Sequence, residues 1–95
     1  MPKLKVMVES TLRKYLTGKL TDEGFKEGIQ AILEEFEGKN LLHQNIGQLT
    51  CKMKKENPND ADKFKKIWIL LDQVSPRIRK DLNYRMRRGP NRDDT

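Results

Sequence analysis

His43 and Cys51 are the chain's single histidine and single cysteine, and so its first candidates for nucleophilic or soft-metal chemistry. A thiol–imidazole pair needs hydrogen-bonding contact, and a zinc site needs three or four convergent ligands. Eight residues apart on one helix, the two side chains lie two turns apart along the axis and about 80° apart around it. They can neither pair nor close a metal site. His43 therefore reads as a helix-start or core-edge residue, and Cys51 as a small, half-buried one. Glu34, Glu35 and Glu37 would suit acid catalysis or a divalent ion if they converged. Helical spacing puts them on different sides of a helix that turns Phe36 to the core, so they read as a solvated acidic face. There is no glycine-rich phosphate loop, nucleophile elbow or His-Glu metal pattern. The expectation is a protein that is not an enzyme and needs no cofactor or metal.

The remaining chemistry is charge. From Ser75 to Pro90 the chain carries six bases, five of them arginine. Serine as N-cap, proline at the first helical position and Gly89-Pro90 at the end mark a helix over 76–88. With Ile78, Leu82 and Met86 as a narrow apolar stripe, Arg77, Lys80, Tyr84, Arg87 and Arg88 share the opposite side. That gives a basic face with an aromatic residue inside it, suited to nucleic-acid phosphates or to an acidic protein surface. Two simpler accounts compete. Cations at a helix C-terminus are favoured by the dipole, and Asp81 can pair with Arg77 or Arg85 at i±4. The basic helix could also pair with an acidic helix inside the fold.

Four further helices must position this one. Leu4, Val8, Leu12 and Leu16 recur at i+4 intervals and predict a helix over 3–17, although Val6-Met7-Val8 also admits a short strand. Gly18 suits the left-handed stop. Thr21 caps a second helix over 22–37, with Asp22 and Glu23 in its first turn and Phe25, Ile29, Ile32, Leu33 and Phe36 on one face. Gly24 and Gly28 near that face point to close helix packing. Asn40 is the expected cap of a third helix, 40–55, carrying Leu42, Ile46, Leu49 and Met53 with Gly47 inside it. Pro58 enforces a break. Asn59 or Asp60 then caps a fourth helix, 60–74, on which Phe64, Ile67, Trp68, Leu71 and Val74 share a face that Ile69 and Leu70 widen. That width predicts the central helix, with Trp68 as a core anchor. The helix over 76–88, with three core residues, is expected to be the least firmly docked after the first.

The fold class predicted is all-α, a compact bundle of four to five short helices forming one domain over 1–90, followed by a polar tail over 91–95. Ninety-five residues with 36% charged and 35% hydrophobic and a mean hydropathy of −0.88 suit one small core. The longest apolar run, Ile67 to Leu71, is far too short to span a membrane. A single cysteine and an N-terminus without a signal-peptide core point to an intracellular protein, cytoplasmic or nuclear. The net charge of +6 is unevenly spread: Leu20 to Gly38 holds six acids and one base, Cys51 to Arg92 thirteen bases and five acids. The leading expectation is a small non-enzymatic regulatory or adaptor domain acting through protein–protein contact. Its partner would be another protein with an acidic or apolar surface, or a second copy of the chain, with no membrane involved. The alternative is a DNA- or RNA-binding regulatory domain that uses the helix over 76–88 mainly on phosphates.

Overall fold

The computed structural model describes residues 3–82, which form an all-α bundle with no strand among them. The first helix, α1 (Lys3–Leu16), buries Leu4, Val8, Leu12 and Leu16. The Val6-Met7-Val8 run is helical, not a strand. The i+4 repeat puts Val8 wholly in the core, while Val6 is left 58% exposed on the other side. Gly18 ends the helix at φ +79°, and the Lys19 N–H closes back on the Lys14 carbonyl at 2.8 Å. This satisfies a carbonyl the helix would otherwise leave open.

Helix α2 (Asp22–Glu35) starts as its sequence dictates. The Thr21 hydroxyl accepts from the Gly24 N–H at 3.0 Å, and Phe25, Ile29 and Ile32 are buried. A β-carbon at Gly28 would lie 3.2 Å from Thr11 Cγ2, so this glycine sets how closely α1 and α2 approach. The helix stops two residues before the expected 37, at a cap formed by the half-buried Phe36.

Helix α3 (Leu42–Glu56) departs from expectation at its start. Asn40 does not cap it. Leu41 takes that place in the left-handed region (φ 61°, ψ 27°) with no side-chain cap. Leu42, Ile46 and Met53 are buried as expected, but Thr50 is buried where Leu49 is only half so. Thr50 is tolerated in the core because its hydroxyl donates to the Ile46 carbonyl at 2.9 Å. Past Glu56, the Asn57 amide donates to the Met53 carbonyl at 2.8 Å, and Pro58–Asp60 makes a 3₁₀ turn.

Helix α4 (Ala61–Val74) follows directly. Asp60 occupies its N-cap position without a side-chain bond, so neither expected cap operates. Phe64, Ile67, Leu70 and Leu71 are buried, but Ile69 is 51% exposed and does not widen the stripe. Nor is α4 central. Helix α1 packs between α2 and α3, and α2 between α1 and α4. Ser75, extended at φ −160°, turns the chain into α5, described over 77–82.

Helix α5 buries both described residues of its apolar stripe. Ile78 is fully buried and Leu82 is 5% exposed. Both lie on Gly47 of α3, where a β-carbon would come within 3.2 Å of Leu82 and 3.4 Å of the Ile78 carbonyl. The residue that weakened the case for α3 as a helix is the one that lets α5 approach it. Helix α1, with four buried residues, is not loosely docked either. Among the described residues no buried side-chain polar atom lacks a partner, and no helix is long and apolar enough to cross a membrane.

Candidate interaction site

Of the five predicted binding residues, Arg77 and Lys80 are described. Tyr84, Arg87 and Arg88 lie outside the described residues, as do Met86 and the predicted tail over 91–95. Arg77 and Lys80 are both exposed on α5, but they do not meet the same surroundings. The Arg77 Nε donates to Asp81 Oδ2 at 3.1 Å, one of the two pairings expected at i+4 spacing. Arg77 and Asp81 then form one wall of an open cleft of about 710 Å³. Glu34, at the end of α2, and Glu37, just past it, also line the cleft. The floor and lip come from Leu33, Leu41, Leu42 and His43.

The glutamates do not all point to different sides: Glu34 and Glu37 share this cleft, as residues at i and i+3, about 60° apart around a helix, are placed to do. The helix itself ends at Glu35, and the chain turns through Phe36 to Gly38, where φ is +91°. Leu41, not singled out by its sequence, stands on the lip 53% exposed. A left-handed backbone costs a branched residue roughly 1–2 kcal/mol, and exposure gains it nothing. No sequence signal marks this position, because the neighbouring Asn40 is the residue that normally adopts such a turn.

His43 faces the same cleft from the first turn of α3. Burial holds its pKa below the ordinary histidine value, the nearby Arg77 adds to this, and Asp81 partly offsets it. Cys51 opens elsewhere, on a groove of about 430 Å³ between α3 and α4 that it lines with Lys54, Lys55, Pro58, Ala61 and Trp68. Burial raises its thiol pKa, against the opposing pull of Lys54 and Lys55. Histidine and cysteine thus serve separate surfaces, as their angular offset predicts. Trp68 sits at the core's edge, not at its centre. The Arg79 guanidinium lies 5.3 Å from its ring centroid and is itself held by Asp72 at 3.3 Å. No group of three or more metal-ligating side chains forms among the described residues.

The acidic helix does not neutralise the described part of α5. Its ion pairs run from Asp22 to Lys66 of α4 at 3.2 Å, from Glu23 to Lys26 at 3.0 Å, and from Glu35 to Lys3 at 3.9 Å. Asp22 also accepts a hydrogen bond from the Tyr15 hydroxyl at 2.7 Å. That bond, with Lys66 behind it, lowers the Asp22 pKa. Burial, then the same bond, pushes Tyr15 up to about 12.

Comparison with protein-family models, curated proteins and solved structures finds no match to this chain.

Proposed function

We propose that this protein is a small non-enzymatic adaptor or regulatory domain that binds another protein in the cleft between the end of α2 and the start of α5. The observation that carries this reading is Leu41, a half-exposed, left-handed leucine at the lip of a cleft with one acidic wall and one mixed wall. Backbone strain is retained where the surroundings or a ligand require it. An exposed apolar side chain rimmed by charges of both signs suits a protein segment that brings an apolar anchor and its own charges. The cleft is a poor seat for a polyanion. Glu34 and Glu37 would repel phosphates, and Arg77 is already engaged by Asp81. This favours a protein partner over DNA or RNA at this end of α5.

The test is quantitative capture of proteins from the native extract on wild type, Leu41→Asn, and the double variant Glu34→Lys with Glu37→Lys. Asparagine tolerates the left-handed turn, so Leu41→Asn removes the anchor and leaves the cleft's backbone as it is. The expected result is a discrete set of proteins bound by wild type and lost from both variants. An identical bound set on all three would overturn the reading.

A further inference from the structure

The lip of the cleft carries its own complement. Leu41 is the one residue other than glycine with a left-handed backbone among the described residues, and its apolar side chain is 53% exposed beside the cleft. The other large exposed apolar residues, Val6 and Ile69, stand on regular helix and do not line it. Leu33 and Leu42 line the same cleft, so one surface bears both an apolar projection and an apolar recess. Charge follows the same pattern. Glu37 and Lys39 flank Gly38 on the turn that leads to Leu41, and both line the cleft. Among the described residues they form no ion pair, either with each other or elsewhere. Glu34 is held by the Gln30 amide at 3.3 Å, and Arg77 by Asp81 at 3.1 Å. The lip thus presents one leucine, one anion and one cation.

We infer that the cleft seats a second copy of this chain, in a two-fold dimer that joins the two Leu41 lips. A two-fold interface brings the same patch of both copies together, so every group must find its complement on that patch. In this arrangement each Leu41 enters the apolar recess of the other copy. Glu37 of one copy meets Lys39 of the other, twice by symmetry. A partner of any other kind would need only one half of such a set. The bulk charge points to the same face. Two chains of net charge +6 repel each other, and their approach costs least where acids gather. Leu20 to Gly38 holds six acids and one base, and Glu34, Glu37 and Asp81 line the cleft. The dimer rests on the cleft being a protein-contact surface, and it adds a regulation to the adaptor reading. Both clefts are covered in the dimer, so a different protein has to displace the second copy, and its apparent affinity falls as the chain becomes more concentrated.

The experiment is sedimentation equilibrium of the full chain from about 10 μM to about 1 mM, a range suited to a small interface. At about 0.15 M salt the Debye length of about 8 Å screens the long-range repulsion. The mass should rise with concentration from 11.2 kDa toward twice that value. Leu41→Asn withdraws both apolar anchors of the dimer and should raise the dissociation constant about a hundredfold. Glu37→Lys takes the net charge from +6 to +8, and Lys39→Glu takes it to +4. Bulk repulsion alone would weaken association in the first variant and tighten it in the second. Pairing across a two-fold weakens both, by about tenfold each, and an equimolar mixture of the two restores a 1:1 dimer. Thermal melts confirm that each variant is folded. A wild type that stays at the mass of one chain refutes the dimer and leaves the capture experiment on the cleft standing. Association unchanged by Leu41→Asn, opposite shifts in the two charge variants, or no rescue on mixing refutes it as well. A dimer that behaves as expected beside an identical captured set on all variants would overturn the adaptor reading alone.

Discussion

Replacing Gly47 with leucine puts a side chain into the contact on which α5 rests. The β-carbon alone would meet Leu82 at 3.2 Å and the Ile78 carbonyl at 3.4 Å. These are the root of a side chain and a backbone atom, and neither can swing aside. Alanine would therefore be close to neutral, because its gain of about 1 kcal/mol in helix propensity over glycine is offset by the crowding. Leucine carries three further carbons into the same space. Overpacking of a well-filled contact costs about 1–3 kcal/mol, occasionally more. If α5 lifts away instead, the burial of Ile78 and Leu82 is lost, at about 1.5–3 kcal/mol each. After the propensity gain, a net loss of about 2 kcal/mol is expected for Gly47→Leu. Urea unfolding measures it directly, and Trp68 reports locally, since Arg79 of α5 stacks over its ring and the chain has no other tryptophan. A midpoint at or above that of wild type, with unchanged tryptophan emission, would refute the account of how α5 is held.

Leu41→Val should lower stability by about 1 kcal/mol, because a β-branched residue suits the left-handed region even less than leucine. Leu41→Asn should leave stability nearly unchanged, the relief of strain offsetting the lost side chain, and thermal melts of the two variants beside wild type check both. Tyr15 links stability to alkaline pH. Its folded pKa is raised from 10.0 to about 12, so its contribution is complete below pH 10 and is lost as pH climbs through that interval. Tyr15→Phe should therefore differ most from wild type below pH 10 and converge on it above, as read by urea midpoints at stepped pH. Asp22 has the opposite sign. Its pKa is lowered, so its contribution holds above the ordinary carboxylate value and is lost as pH falls through the folded one. Asp22→Asn should flatten the acid limb of the stability profile.

Most of the fold was legible because its signals are local and redundant. Thr21 with two acids behind it, Gly18 and Gly38 after periodic runs, and Pro58 against a helix each state one backbone fact. The i+4 repeat of α1 outweighed the β-branched character of Val6 to Val8, because a period sustained from Leu4 to Leu16 counts for more than a three-residue propensity. Where the reading failed, the cause lay in tertiary contact. Asn40 is a better intrinsic cap than Leu41, but the chain places Leu41 at the turn. Ile69 is apolar, yet it lies outside the arc that α4 shares with α2. Gly47 reads as a weakness in α3 until α5 is laid across it. The cleft was half legible: the Arg77–Asp81 pairing and the shared side of Glu34 and Glu37 follow from i+4 and i+3 spacing, whereas the left-handed Leu41 beside them does not.

The packing order of the helices also constrains how the chain can fold. Helices α3 and α4 are consecutive, yet they share no extended backbone contact and lie against different members of the α1–α2 pair. Neither can complete its interface until that pair exists, whereas α1 and α2 are joined by a short turn that closes at little entropic cost. The α1–α2 hairpin is thus the natural nucleus, and Gly28 lies against Thr11 within it. Substitutions there should act on the folding rate, while those in α4 and α5 should act on the unfolding rate.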